Sequence, residues 1–213
     1  ERFSTQLKKP GSRMKRAERP RTAAIERSTA ETDISLSLTI DGSGKSSINT
    51  GVGFLDHMLT LFSVHGSFDL SVSATGDLEV DDHHTVEDVG ICLGQAFYHG
   101  LGDKGGINRY GFSYVPMDET LARVVVDFSN RPYLHYGVDL CDQKVGTFDT
   151  ILAKEFLRAL ALHGGMTLHV DLVHGENAHH IIEAVFKALG RAVNEATALR
   201  EGSTAVLSSK GSL

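Results

Sequence analysis

The sequence predicts an α+β protein made of two tandem copies of one unit, each a mixed β-sheet with helices. Three observations predict it. The segment Leu61–Val72, LFSVHGSFDLSV, returns as Leu160–Val170, LALHGGMTLHV, with His65 aligned on His163 at an offset of 98. The pair His83-His84 returns as His179-His180 at an offset of 96, and Asp41–Gly51 returns as Asp127–Gly137 at an offset of 86. Within each copy, stretches of period two alternate with stretches of helical period, the pattern of helices layered on sheets. Self-similarity of this kind is what an internal duplication leaves behind.

The first copy covers residues 22–101. Ile34, Leu36, Leu38 and Ile40 alternate as in a half-buried strand, and Asp41-Gly42-Ser43-Gly44 is a turn signal. Phe54, Leu55, Met58, Leu59 and Phe62 fit one face of a helix. Phe68, Leu70, Val72 and Ala74 alternate again, until Thr75-Gly76-Asp77 breaks the chain. A second helix begins near Asp81-Asp82, either of which is able to cap it, and buries Val86, Val89, Leu93 and Phe97. The second copy covers residues 102–198. It repeats the scheme with a strand over Arg123–Phe128, a helix near Asp149–His163, a strand over Met166–Val173 and a helix from about His179. Residues 199–213 read as an irregular Ser- and Gly-rich tail.

The formal charge of -6 over 213 residues is unevenly spread. Residues 1–27 hold nine Lys/Arg against three Asp/Glu, a net of +6, so the remainder carries -12. Residues 1–21 therefore read as a basic, flexible, Pro-punctuated arm. The acidic body argues against a nucleic-acid partner. No apolar run approaches the roughly 20 residues a membrane helix needs. Cys92 and Cys141 lack CxxC spacing and read as reduced structural residues. The expected location is the cytoplasm, or a plastid if the basic start is what remains of a transit peptide.

Histidine is the unusual count, 11 in 213 residues, and most are clustered. The motif HHxxE occurs twice, as His83-His84-Thr85-Val86-Glu87 and His179-His180-Ile181-Ile182-Glu183. On a helix, residues three or four apart share a face, so each glutamate accompanies a histidine of its own motif. Adjacent histidines point about 100° apart and are suited to two different ions. His57, in FLDHML, is a third candidate, and its counterpart in the second copy is Glu155. Each copy thus offers four donors. Imidazole with carboxylate favours Mn, Fe, Co, Ni or Zn over Ca or Mg. His65 and His163 mark equivalent turns, while His99, His135, His169 and His174 read as packing or surface residues.

Three segments closely resemble one family, the imidazoleglycerol-phosphate dehydratases: TGVGFLDHML over Thr50–Leu59, GDLEVDDHHTVED over Gly76–Asp88, and AHHIIEAVFK over Ala178–Lys187. The ending Ser208-Ser209-Lys210-Gly211 is similar to the family's C-terminal signature, so the resemblance spans about residues 22–211. It implies a fold of the ribosomal S5 domain 2-like type, with helices sandwiched between two sheets. It also implies a homo-oligomer of 24 subunits with active sites between subunits, and two manganese ions per site. One ion is expected on His57, His84, Glu87 and His179. The other is expected on His83, His180, Glu183 and Glu155. The resemblance leads one to expect histidine at 155, where carboxylate can still serve manganese.

The implied reaction dehydrates imidazole glycerol phosphate to imidazole acetol phosphate, a step of histidine biosynthesis. Its implied course is a metal-bridged imidazolate followed by a diazafulvene-like intermediate. Glu31 is the implied acid–base group, with Glu87 and Glu183 able to shuttle protons. The substrate is expected to touch Glu31, His57, His65, His83, Glu87 and His179. Arg109, Arg131, Lys187, Ser209 and Lys210 match the family's substrate and phosphate contacts, a role for which arginine's bidentate fork is suited. Two other readings fit the same residues: a dimetal phosphate-ester hydrolase and a metal-storing assembly. Deletion of residues 1–20 is expected to leave turnover unchanged; an assay of the truncated protein checks this.

Overall fold

Alternation decides the sheets. The computed structural model describes residues 20–213. Its first copy supplies β1 (Thr22–Ser28), β2 (Thr32–Thr39), β3 (Ser46–Asn49), α1 (Gly53–Gly66), β4 (Asp69–Gly76) and α2 (His83–Leu101). The second copy supplies β5 (Tyr110–Met117), β6 (Thr120–Asp127), β7 (Tyr133–Gly137), a short hairpin of β8 (Lys144–Val145) and β9 (Phe148–Asp149), α3 (Ile151–Gly164), β10 (Thr167–His174) and α4 (Ala178–Thr197). The two main sheets run β1-β2-β4-β3 and β5-β6-β10-β7, one order written twice.

The central strands pair through equivalent residues. Leu36 lies opposite Val72 in the first sheet, and Val124 opposite Val170 in the second. Their inward neighbours Ile34, Leu38, Ala122 and Val126 are almost wholly buried. The edge strands β3 and β7 run parallel to β4 and β10. Parallel neighbours need a long crossover, and α1 and α3 lie in those crossovers. Helix α2 packs on β1 and β2, and α4 packs on β5 and β6. The helices also pair across the copies, α1 with α4 and α2 with α3, so both copies share one continuous core. Among the described residues no helix is long and apolar enough to cross a membrane.

Glycines permit the helix pairs to meet at close range. A Cβ on Gly190 of α4 would lie 2.5 Å from the Phe62 carbonyl oxygen of α1. A Cβ on Gly94 of α2 would lie 2.8 Å from the Leu160 carbonyl oxygen of α3. Gly94 and Gly190 are repeat partners, as are Phe62 and Leu160, so the same contact is made twice.

The strands and helices expected from periodicity coincide with β2, α1, β4, α2, β6, α3, β10 and α4. The others escape that reading for physical reasons. In β5 the buried positions are the small or short Gly111, Ser113 and Val115, while Tyr110, Phe112 and Tyr114 face outward. The reason is α4: a Cβ on Gly111 would collide with the Ala192 carbonyl. Strand β1 is an edge that buries only Ile25, and β3 is four residues long. The basic arm over residues 1–21 lies outside the described residues except for Pro20 and Arg21. Arg21 is held to Asp41 by a 2.6 Å ion pair.

Alanine at a helix-interior glycine ordinarily stabilises by up to about 1 kcal/mol. Here Gly94→Ala and Gly190→Ala should each destabilise instead, by about 1–3 kcal/mol, because the partner backbone has no room. Chemical denaturation of the two variants checks the sign.

Candidate active site

Asn177 caps α4, its Oδ1 accepting from the backbone N–H of His179 at 2.9 Å and of His180 at 3.3 Å. This fixes the first helical turn and makes the two imidazoles diverge. His179 Nε2 lies 3.2 Å from Glu183 Oε2, one turn along. His57 Nε2, from α1, lies 3.9 Å from the same oxygen. The three donor atoms are all within 4.8 Å of one another. Lys187 stands one turn further on and donates to Glu183 Oε1 at 2.6 Å. Burial works against the charge of Glu183, but the Lys187 ammonium, with His57 and His179, holds its carboxyl below the ordinary value.

Helix α2 repeats part of this arrangement. Asp81, not Asp82, makes the capping contact, its Oδ1 accepting from His83 N at 2.7 Å. His83 Nε2 and Glu87 Oε2 are 3.8 Å apart. Glu155 on α3 holds the position equivalent to His57, half-buried, with Oε2 3.3 Å from Arg158.

The second histidine of each pair turns to a carboxylate. His84 Nδ1 is 2.9 Å from Asp77 Oδ2 and 3.8 Å from Glu31 Oε2. His180 Nδ1 is 2.8 Å from Glu119 Oε2. An ionised carboxylate only accepts, so in each pair Nδ1 donates; His180 Nε2 lies 3.8 Å from Asp118 Oδ2. The hydrogen bonds to Asp77 and Glu119 raise the pKa of His84 and His180. Glu119 is pulled far below the carboxyl range, first by His180 and then by the Asn177 N–H.

Among the described residues, a single chain brings together only part of the donor sets that the resemblance implies. Within one chain Glu183 joins His57 and His179, while Glu87 stands beside His83. His84 and His180 face Asp77 and Glu119. Each glutamate lies beside the histidine four residues before it, on one helix face, and the adjacent histidine points about 100° away.

A basic cleft forms elsewhere. It is lined by Arg131, Ser209 and Lys210 with Arg109, Ser129 and Asn130. The fork of Arg109 is already engaged: Nε and Nη2 donate to Asp127 at 2.6 and 3.0 Å, and Nη1 to the Leu207 carbonyl at 2.7 Å. Arg109 thus braces the tail against the end of β6. The side chain of Arg131 makes no hydrogen bond or ion pair among the described residues and is open to a ligand. Arg109 N donates to Ala196 O, which places the cleft at the C-terminal end of α4. From His179 to Ala196 the helix rises about 25 Å at 1.5 Å per residue. His65 lies in a third depression, with Phe112, Arg191 and Asn194.

Sequence reading missed Asp77, Glu119 and Asn177. A signal for one was present, because Glu119-Thr120 repeats Glu31-Thr32.

Fold and site together define a class: a tandem-duplicated α+β protein bearing imidazole–carboxylate clusters at the N-termini of its central helices. The comparisons with known proteins agree. Residues 50–193 match the profile of imidazoleglycerol-phosphate dehydratase. The chain is 59% identical to the imidazoleglycerol-phosphate dehydratase of Desulfotalea psychrophila, covering 92% of this chain and 98% of that protein. It is 58% identical to that of Bacillus subtilis, covering 91% and 100%. The crystal structure of the Staphylococcus aureus enzyme superposes with a TM-score of 0.77 at 47% identity, covering 84% of this chain and 99% of that one. The Pyrococcus furiosus enzyme, solved in complex with (S)-C348, gives 0.78 at 41% identity, covering 89% and 100%. The chain belongs to the imidazoleglycerol-phosphate dehydratase family, hydro-lyases of histidine biosynthesis.

The Asp77–His84 pair yields a pH-dependent prediction for metal-free protein. A histidine pKa raised by folding contributes stability below its unfolded value, and that contribution is lost as pH rises through the folded value. Asp77→Asn should therefore lower the melting temperature more near pH 5 than near pH 8, and should bring the His84 titration observed by NMR down towards the ordinary histidine value.

Proposed function

We propose that this chain dehydrates imidazole glycerol phosphate to imidazole acetol phosphate using two manganese ions per site, and that each site is built from more than one subunit. The observation that carries this reading is the separation within one chain. The ligand cluster and the basic cleft stand at opposite ends of α4, about 25 Å apart along the helix. An imidazole ring, three carbons and a phosphate span only about 10 Å at ordinary bond lengths. One substrate cannot reach both features of one chain, so the ring and phosphate are held by different subunits. This supports self-assembly, for which a 24-subunit particle in the cytoplasm is the form we favour.

The donor set fits manganese, which accepts imidazole nitrogen and carboxylate oxygen together. His57, His179 and Glu183 would hold one ion. His83, Glu87 and Glu155 would hold the other, on the repeat equivalence of the two copies. With Nδ1 fixed by Asp77 and Glu119, His84 and His180 would offer Nε2 to complete sites on neighbouring subunits. Bound metal supplies Lewis acidity that eases loss of the substrate's imidazole N–H.

The chain's own residues account for the remaining steps. Arg131, Ser209 and Lys210 take the phosphate. Lys187 keeps Glu183 ionised and thus able to serve as a ligand. Glu31 is exposed, 3.8 Å from His84 Nδ1, and its carboxylate accepts no hydrogen bond among the described residues. Its repeat partner Glu119 is occupied by His180 and by the N–H groups of Glu176 and Asn177. Glu31 is therefore the free carboxylate, suited to move the proton at the reacting carbon. A metal store would give no reason for the basic cleft, and family membership sets the hydrolase reading aside.

Glu31→Gln should lower kcat about 10²–10⁴-fold with metal content unchanged, as elemental analysis and a turnover assay together would measure. Particles co-assembled from Arg131→Ala chains and His179→Ala chains should regain activity that neither variant has alone. Mixed particles that form and stay inactive would refute a site shared between subunits.

A further inference from the structure

We infer that Lys104 is a positioning residue for the phosphate: its buried ammonium holds Asn130 in the turn that presents Arg131, and sets a fixed positive charge behind the anion. The inference rests on the reading of the basic cleft as the phosphate site.

Lys104 lies in the loop after α2, in the left-handed region at φ 60°, and is only 1% exposed. Its Nζ donates to Asn130 Oδ1. From α2 the Tyr98 ring faces it, with the centroid 5.3 Å from Nζ, and just beyond β6 the Phe128 ring at 5.9 Å. Gly165, in the turn after α3, lies against the contact between Lys104 Nζ and Asn130 Oδ1, where a Cβ would meet both. The charged groups acting on it are Asp127, which favours its proton, and Arg109, which opposes it. The Asp127 carboxylate is already bound by Arg109 through two hydrogen bonds. Lys104 makes no ion pair among the described residues. Burial pushes its pKa down to about 8.

A buried ammonium without a carboxylate is costly, and an apolar side chain would fill the same space without that cost. Its one strong polar contact indicates its use. Asn130 is itself in the left-handed region at φ 54°. Its N–H donates to Gly165 O at 2.9 Å, and the adjacent Ser129 Oγ accepts from Arg131 N at 3.1 Å. Ser129, Asn130 and Arg131 all line the basic cleft. Lys104 thus pins the turn from behind while its charge acts through low-dielectric protein on whatever anion sits in front. A bound dianion supplies the counter-charge that Lys104 lacks. Anion binding and retention of the Lys104 proton are therefore linked, and affinity falls as pH rises through about 8.

The test uses sulfate, whose charge does not change in this range, titrated calorimetrically into the metal-loaded assembly at about pH 7.5 and about pH 9. The unmodified protein should lose affinity several-fold between the two. Lys104→Met should bind about tenfold more weakly at the lower pH and lose little further at the higher. With substrate, Lys104→Met should raise KM by a similar factor and leave kcat near its original value, a split that general loosening of the fold would not give. A folded Lys104→Met protein with unaltered sulfate affinity and unaltered pH slope overturns the inference. Arg131→Ala separates the two levels. Its weakened binding beside an unaffected Lys104→Met rejects Lys104 alone, whereas unaffected binding in Arg131→Ala rejects the cleft itself. If Lys104→Met does not fold, Asn130→Gly, which tolerates the positive φ but removes the acceptor, takes its place. Full affinity there, with a flat pH response in the unmodified protein, overturns the proposal equally.

Discussion

The close approach of α1 to α4 and of α2 to α3 is the contact on which the rest depends. It exists because Gly190 and Gly94 present no side chain where the partner backbones pass. The pairing crosses between the copies, so neither copy closes its own core. It also sets the site, because α1 carries His57 and α4 carries His179 and Glu183, and those donors meet only if the helix axes lie close. The duplication thus yields two halves that are alike in sequence and sheet order yet incomplete apart.

A second constraint is the helical period. Two adjacent histidines cannot point at one place. The protein uses this by giving each member of the pair its own task. His179 meets Glu183 on one face of α4, and His180 turns to Glu119. The side-chain oxygens of Asp81 and Asn177 accept from backbone N–H groups in the first turn of each helix, so the divergence is set where the helix begins. The copies differ where chemistry asks it. Glu119 is consumed in orienting a histidine, whereas Glu31 is left free because Asp77 does that work in the first copy.

The C-terminal tail has no regular structure, yet it is anchored by Arg109 and by the exchange of backbone hydrogen bonds between residues 106–109 and 196–205. Anchoring costs little secondary structure and brings Ser209 and Lys210 beside Arg131. The cleft so formed lies away from the cluster of His57, His179 and Glu183 by most of the length of α4, which is why a lone subunit is an unfinished catalyst in our reading.

Sequence alone determined the duplication, the helices and central strands, and the two histidine–glutamate motifs at helix starts, because those follow from period and from short, local spacings. It also marked Arg131, Lys187 and Lys210 through resemblance. It did not reveal β5, whose large side chains face outward because α4 presses on Gly111, nor the roles of Asp77 and Asn130, which act only through neighbours brought by folding. Which donors stand together was likewise decided by tertiary structure. Spacing along a chain tells which residues share a helix face, but which second helix comes to lie beside that face depends on packing between segments far apart in the sequence.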